Sequence, residues 1–149
     1  MTTLKIFVGT VYGNAQHVAE EVEKKLQDEG LACEVLSDPE VTDFSDADSI
    51  LVVTSTTGQG DLPPNLEFVY SDLKDEFPLL NGKPFAVAAL GDSSYGETYC
   101  GGGRQMHELL LELQGQPVAD MLEVDAIETL EPEADVTEWV LGIKDKLYA

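Results

Sequence analysis

Short apolar runs alternate along the chain with longer segments in which apolar residues recur every three or four positions. The short runs predict five strands, at residues 4–8, 32–36, 49–54, 84–90 and 120–124. The third run, Ile50-Leu51-Val52-Val53, has no polar alternation, which is typical of a strand covered on both faces. This alternation predicts an α/β fold with a parallel sheet and helices on both of its faces.

The longer segments predict helices over residues 14–29, 65–77 and 133–147. A further helix is expected to follow the glycine run 101–103 and to end near residue 113, and residues 44–47 are predicted as a short turn or helix. No internal repeat, low-complexity linker or composition shift divides the chain. Residues 1–149 are therefore expected to form a single domain.

The charge balance is strongly acidic, with 8 basic and 29 acidic residues and a formal net charge of −21. The acids are spread over predicted helices and loops, so many of them are expected to be solvated surface residues. Their sum repels nucleic acid and anionic membranes, and it speeds encounter with basic protein surfaces. No apolar run approaches the roughly 20 residues that span a bilayer. We therefore expect basic protein partners, and neither nucleic acid nor a membrane.

Two cysteines, Cys33 and Cys100, are far apart and form no C-x-x-C motif. Zinc and iron–sulfur sites are therefore unsupported, and a reducing, cytoplasmic location is the simplest interpretation. His17 and His107 are expected on helix surfaces, without the partners that catalysis or metal binding requires. The sequence thus predicts no catalytic residue and no metal ligand.

A polar loop of sequence G-T-V-Y-G-N-A, residues 9–15, lies between the first strand and the first helix. The helix N-terminus supplies unpaired N–H groups and a partial positive charge, which suits a phosphate. Thr10, Tyr12 and Asn14 add side-chain donors, Gly13 permits close backbone approach, and no residue of the loop is basic. The structural alternative is an ordinary strand-to-helix turn with Asn14 as the N-cap.

Two further loops, residues 55–61 and 91–99, follow the third and fourth strands and are rich in Gly, Ser, Thr and Tyr. In open doubly wound sheets, ligands bind outside the carboxyl ends of the strands, where the strand order reverses. The three loops are therefore expected to form one site, with a phosphate pocket at one end and an aromatic-walled slot at the other.

With these three loops in order, the chain resembles flavodoxin over essentially its whole length. The segment G-T-V-Y-G-N-A is similar to the phosphate loop for FMN, and S-T-T-G-Q-G-D to the loop that covers one side of the flavin ring. The segment L-G-D-S-S-Y, followed by T-Y-C-G, is similar to the loop whose tyrosine stacks on the other side. The second loop also resembles FMN modules of diflavin reductases and small flavodoxin-like proteins related to them. The resemblance implies a doubly wound, five-stranded parallel sheet of order 2-1-3-4-5.

The resemblance implies FMN as the cofactor and assigns Tyr95 to stacking on the flavin. It also implies that the Gly58 carbonyl accepts a hydrogen bond from reduced flavin, which would separate the two one-electron steps. Ala15 stands where many flavodoxins have Thr or Ser, and Thr57 where many have an aromatic residue. The full set of expected cofactor-binding residues is Thr10, Val11, Tyr12, Gly13, Asn14, Ala15, Ser55, Thr56, Thr57, Gly58, Gly60, Gly91, Asp92, Tyr95, Tyr99 and Cys100.

The function implied by the resemblance is one-electron transfer, in which the cofactor does the chemistry and the protein tunes it. The chain would act as a monomer that carries electrons from a reductase of the flavodoxin or ferredoxin type to an acceptor redox enzyme. It would not be a stand-alone enzyme. A signalling receiver domain is excluded because it needs an acceptor Asp where this chain has Thr54-Ser55. An FMN-dependent enzyme with its own substrate, such as a quinone reductase, stays possible but would need more sequence to build a substrate pocket. The main alternative is a flavodoxin-fold interaction or regulatory protein that binds FMN weakly or not at all.

Overall fold

A computed structural model describes residues 3–10, 13–56, 60–91, 100–125, 128–129 and 131–148. Strands and helices alternate through these ranges as the sequence predicts. The strands are β1 (Thr3–Gly9), β2 (Ala32–Leu36), β3 (Ser49–Thr54), β4 (Pro84–Gly91), β5 (Gln116–Pro117) and β6 (Leu122–Asp125). The helices are α1 (Asn14–Asp28), α2 (Val41–Asp46), α3 (Pro64–Glu76), α4 (Gly101–Glu112) and α5 (Pro132–Leu147).

The strands form a parallel sheet in the order β2-β1-β3-β4-β5, and β6 also pairs with β4. Gln116 lies opposite Pro84, and Leu122 lies opposite Ala88 further along β4. The two short strands thus share the fifth position, and the predicted order 2-1-3-4-5 is confirmed. The sequence predicted this strand only over residues 120–124, because Gln116 and Pro117 carry no apolar run.

Two helical layers cover the sheet, which explains why every residue of β3 is buried. Leu51 and Val53 face the core cluster formed with α1 and α5. Ile50 and Val52 face the cluster formed with α2, α3 and α4. Side chains alternate across a strand, so an all-apolar strand supplies both cores at once. None of the helices in the described part of the chain is long and apolar enough to cross a membrane.

The glycine run 101–103 forms the first turn of α4 instead of preceding the helix, so the predicted helix start is corrected. The reason is close packing against β4. A Cβ atom on Gly103 would lie 2.3 Å from the Cβ of Ala89. Glycine is a poor helix former, but here it lets the helix backbone approach the sheet and the loop beside it.

Candidate functional site

The carboxyl ends of β1, β3 and β4 lie side by side at one edge of the sheet. Gly9 is opposite Thr54, Thr54 is opposite Ala89, and the ladder continues with Ser55 N–H donating to the Gly9 carbonyl at 2.9 Å. The neighbours of β1 are β2 on one side and β3 on the other, so the strand order reverses here. The three predicted loops therefore leave the sheet at its switch point, where open α/β sheets bind ligands.

The described ends of the first loop are joined by a hydrogen bond directly before α1. The Thr10 hydroxyl accepts a hydrogen bond from the Gly13 N–H at 2.8 Å. Gly13 is the N-cap residue, with a left-handed φ of 89°, and Asn14 is the first helical residue. The interpretation of Asn14 as the N-cap is therefore wrong. The left-handed conformation at this cap explains why the loop needs a glycine.

The described residues around this helix N-terminus fit a phosphate. No side chain caps α1 in the described part of the chain, and its first turn contains no acidic residue. A Cβ built on Gly13 would meet no described atom within 4 Å, so the described residues leave space beside the turn. The first-turn N–H groups and the helix dipole can therefore face an anion. The Ala15 methyl is fully buried in the core, which leaves its backbone N–H as that residue's contribution.

Asn65, at the start of α3, ties the first loop to two strands, although the sequence analysis did not single it out. Its side-chain NH₂ donates to the Val8 carbonyl at 2.7 Å and to the Ser37 carbonyl at 2.9 Å. Its amide oxygen accepts from the Thr10 N–H at 3.1 Å. One side chain thus satisfies backbone groups at the ends of β1 and β2. The available signal was an amide residue directly after Pro63-Pro64, at a predicted helix start.

The second loop is held by α4 at both of its described ends. The Gly102 N–H donates to the Thr56 hydroxyl at 3.1 Å, and the Gln105 side chain donates to the Gly60 carbonyl at 2.7 Å. Helix and loop backbones are in direct contact, because a Cβ on Gly101 would lie 2.7 Å from the Gly60 Cα. Gln105 is a second residue that sequence reasoning missed, since a half-buried glutamine inside a helix carries no distinctive pattern.

Cys100, directly before α4, is fully buried and has a left-handed φ of 56°. Its thiol lies 3.5 Å from the Ala89 carbonyl, so it faces β4. Cys33, on β2, is half-buried, and burial, together with the nearby charge of Glu23, raises the pKa of its thiol to about 11. Such a thiol stays protonated at neutral pH and is a poor nucleophile. Gly91, the last residue of β4, stands beside Asp125 at the same edge of the sheet.

Seven of the expected cofactor-binding residues lie outside the described part of the chain. They are Val11, Tyr12, Thr57, Gly58, Asp92, Tyr95 and Tyr99. The described members from each loop are brought to one edge of the sheet, as expected. The stacking of Tyr95 and the role of the Gly58 carbonyl stay predictions.

Several basic side chains in the described ranges are already engaged. The Lys83 ammonium donates to the carbonyls of Phe44 and Ser45 at 2.9 and 2.7 Å, and burial lowers its pKa. Lys144 pairs with Glu29, at the end of α1. Both lysines lie at the amino ends of the strands, away from the site. In the first turn of α4, Arg104 forms an ion pair of 3.2 Å with Glu123.

Comparison with known proteins places this geometry among familiar relatives. The family model described as Flavodoxin matches residues 6–139. The protein named Flavodoxin YqcA from Escherichia coli (strain K12) is 44% identical over 142 residues, which is 94% of this chain and 95% of that protein.

Solved structures agree. A cysteine-to-alanine mutant of Flavodoxin from Pseudomonas aeruginosa has a TM-score of 0.92 and 40% identity, covering 99% of this chain and 100% of that one. A Fusobacterium nucleatum flavodoxin bound to flavin mononucleotide has a TM-score of 0.83 at 18% identity, covering 98% and 99% of the two chains. At that identity, the second structure supports the fold.

Proposed function

Because the chain belongs to the flavodoxin family, we propose that it binds FMN at the carboxyl edge of its sheet and carries single electrons between redox proteins. Bound FMN supplies reversible one-electron chemistry, and the protein supplies binding and electrostatics. The observation that carries the proposal is the N-terminus of α1 at the switch point of the sheet, which no described side chain caps. The residues there fit the phosphate end of FMN and leave the flavin to the other two loops.

The phosphate would be held by neutral donors. The first-turn N–H groups of α1 are the proposed donors, and Thr10 fixes the turn through its bond to the Gly13 N–H. An uncharged cradle of this kind relies on oriented backbone donors and the helix dipole. The described residues of this cradle include no basic side chain, so the phosphate would be bound without a cation beside the flavin.

The acidic protein should make full reduction of the flavin unfavourable. With a net charge of −21, additional negative charge on the cofactor is disfavoured. For a one-electron couple, about 1.4 kcal/mol corresponds to roughly 59 mV. A few partly screened carboxylates could thus lower the second one-electron couple by on the order of 100 mV.

We propose that the electron donor and acceptor present basic surfaces to this acidic chain, which acts as a monomer. Complementary charge speeds encounter and is screened by salt, with a Debye length of about 8 Å at physiological ionic strength. Reduction by a reductase of the flavodoxin or ferredoxin type should therefore slow steeply between low and high salt. A rate that is independent of salt would contradict basic partners while leaving the FMN proposal intact.

A second candidate is a flavodoxin-fold regulatory protein that binds FMN weakly or not at all. The specific observation behind it is Ala15, whose buried methyl offers no hydroxyl where many flavodoxins have one. The backbone N–H groups of the same turn remain, so the structure favours the electron carrier.

The deciding experiment is purification of the chain followed by titration with FMN and then potentiometric titration. The electron-carrier proposal expects flavin absorbance bands in the purified protein, tight binding of added FMN, and a second couple below that of free FMN. A colourless protein that does not bind added FMN would favour the regulatory candidate. A second couple at or above that of free FMN would refute the electrostatic part of the proposal.

A further inference from the structure

The first turn and a half of α4 contacts both described ends of the loop that follows β3. At the near end, Gly102 donates its N–H to the Thr56 hydroxyl at 3.1 Å. At the far end, Gln105 donates from its side chain to the Gly60 carbonyl at 2.7 Å. Each bond joins residues 45 to 46 positions apart in the chain. Two hydrogen bonds therefore connect α4 to the two described ends of this loop.

The contact between helix and loop leaves no room for side chains. A Cβ on Gly101 would lie 2.7 Å from the Gly60 carbonyl oxygen, and a Cβ on Gly102 would lie 2.9 Å from the Ser55 carbonyl oxygen. Real Cβ contacts at such distances require one of the two backbones to shift. The glycines thus allow the close approach that brings the Gln105 side chain within bonding distance of Gly60.

Gly60 itself adopts a left-handed φ of 91°. The hydrogen bond from Gln105 holds the carbonyl of this residue in one orientation. Gln105 is half-buried and is not part of either hydrophobic cluster, so its side chain is not needed to fill the core. Its polar group has a specific partner in the loop.

We propose that Gln105, together with the Gly102 N–H, pre-organises the two described ends of the loop after β3 for FMN, with Gln105 as a positioning residue. This inference rests on the proposed function, because the loop is taken as part of the FMN site. A loop that is held in its binding conformation before the ligand arrives costs less entropy on binding. If the bond is lost, only a fraction of molecules has a competent loop, and the apparent Kd rises by the inverse of that fraction.

Three variants test the role. Q105M keeps the length and volume of the side chain but removes the donor. Q105E keeps the shape and, when ionised, places a carboxylate against the Gly60 carbonyl. Q27M is the matched control, because Gln27 is exposed near the end of α1, on the other face of the sheet and at its opposite end.

The first readout needs no cofactor. Amide hydrogen exchange of the FMN-free protein, followed by mass spectrometry, reports the peptide that spans residues 55–62. A neutral hydrogen bond contributes about 1 kcal/mol, so Q105M should raise exchange in this peptide about fivefold. The rest of the chain should exchange as in the wild type, and Q27M should change neither.

The second readout is the Kd for oxidised FMN, measured by fluorescence titration. Q105M should raise it by the ratio of the competent-loop fractions of wild type and variant, which is at most about fivefold for the loss of about 1 kcal/mol. Global unfolding of Q105M should remain a single transition. A purely structural role would instead raise exchange throughout α4 and the sheet and leave the Kd of the folded protein unchanged.

Q105E adds a pH profile that a structural role would not produce. At pH 8 the ionised side chain cannot donate, so the loop should exchange faster and FMN should bind more weakly than in Q105M. Near pH 5 protonation restores a donor, and both properties should return toward the wild type. Exchange is compared as protection factors, which removes the intrinsic effect of pH on exchange rates.

The outcomes separate this inference from the proposed function. If wild-type protein binds FMN while Q105M matches it in loop exchange and in Kd, the positioning role is overturned. If Q105M raises exchange only in the 55–62 peptide but the wild type fails to bind FMN, the hold of Gln105 on the loop is supported and the proposed function fails. Uniformly faster exchange in Q105M and Q105E, with no recovery of Q105E near pH 5, would also overturn the positioning role.

Discussion

The side-chain amide of Asn65 accepts a hydrogen bond from the backbone N–H of Thr10 at 3.1 Å, although the two residues are 55 positions apart. The same side chain donates to carbonyls of Val8 and Ser37. The start of α3 is therefore joined to the ends of β1 and β2. The first loop, which we propose holds the phosphate of FMN, therefore depends for its position on a residue of α3.

Replacement of Asn65 should loosen the phosphate loop and lower stability together. N65L removes all three hydrogen bonds and leaves partly buried backbone groups unpaired, which should lower the free energy of unfolding by about 2–4 kcal/mol. N65D keeps the acceptor for the Thr10 N–H but sets a carboxylate against two carbonyls, and it should be at least as damaging. Urea unfolding and FMN titration measure the two effects.

The control for these variants is Q27A, which removes an exposed amide side chain at the other end of the molecule. It should stay within about 0.5 kcal/mol of the wild type. Unfolding free energies of N65L and N65D that also stay within that range would show that the three bonds are worth little.

Thr10 should matter for the phosphate and not for the flavin ring. Its hydroxyl accepts the Gly13 N–H at 2.8 Å and so holds the turn that opens α1. T10V lacks this acceptor, and we expect it to bind FMN about tenfold more weakly, a loss of about 1.4 kcal/mol. Riboflavin, which lacks the phosphate, should bind T10V and wild type equally. T10S retains the hydroxyl and should bind FMN like the wild type.

Equal losses for FMN and riboflavin in T10V would place the effect outside the phosphate cradle. Fluorescence titration of both flavins against the three proteins makes this comparison directly. The same titrations at several salt concentrations test the neutral character of the cradle. Added salt should weaken FMN binding only modestly where no cation holds the phosphate.

Much of the fold follows from local pattern. The strands at residues 32–36 and 49–54 have their predicted bounds, since apolar runs bordered by polar turns carry a clear signal. The fifth position of the sheet was only half predicted, because Gln116–Pro117 is too short and too polar to be recognised. The helix start at Gly101 was missed because glycine normally interrupts helices.

The candidate site was predictable as three loops at one edge, since loop composition and strand ends are local features. Asn65 and Gln105 were not predictable. Each uses its side chain to bond backbone groups 28 to 57 positions away, and such pairings leave no periodicity in the sequence. They depend on the register between helices and sheet, which only the assembled fold provides.

Two glycines in helices give opposite predictions for the same substitution. A Cβ on Gly103 would lie 2.3 Å from the Cβ of Ala89, so G103A must displace α4 from β4. Overpacking of this kind costs about 1–3 kcal/mol. For Gly142, on α5, no atom of the described residues lies within 4 Å of an added Cβ. G142A should therefore stabilise the protein by about 0.5–1 kcal/mol, because alanine is the better helix former.

Thermal unfolding measures both variants. At about 2–4 °C per kcal/mol for a chain of this size, G103A should melt several degrees below the wild type and G142A slightly above it. A melting temperature of G103A equal to that of the wild type would mean that α4 can move away from β4 at no cost. The hydrogen bonds from α4 to the loop after β3 would then hold the loop less firmly than their distances indicate.

His107 should make the fold less stable as the pH falls below neutrality. It lies on α4 with its ring 5.3 Å from that of Phe85, and its Nδ1 is buried without a hydrogen-bond partner among the described residues. Burial lowers its pKa from the ordinary value of 6.5, while Asp120 and Glu108 act in the opposite direction. The folded protein therefore binds this proton less readily than the unfolded chain does.

Proton linkage determines the direction in which His107 changes the stability as the pH falls. Above pH 6.5 the residue is neutral in both states, and its full contribution to stability is present. As the pH falls through 6.5 and then through the lower pKa of the folded state, the unfolded chain takes up the proton first and stability is lost. H107Q cannot take up this proton. Its unfolding free energy should fall less between pH 7.5 and pH 5.5 than that of the wild type.

Urea unfolding at several pH values tests this, with H17Q as the matched control because His17 is exposed on α1. Carboxylates contribute to the pH dependence of every variant, so the difference between wild type and H107Q is the relevant quantity. That difference should grow as the pH falls, and H17Q should follow the wild type. Parallel curves for wild type and H107Q would mean that His107 gains its proton equally in both states, against the burial of its ring.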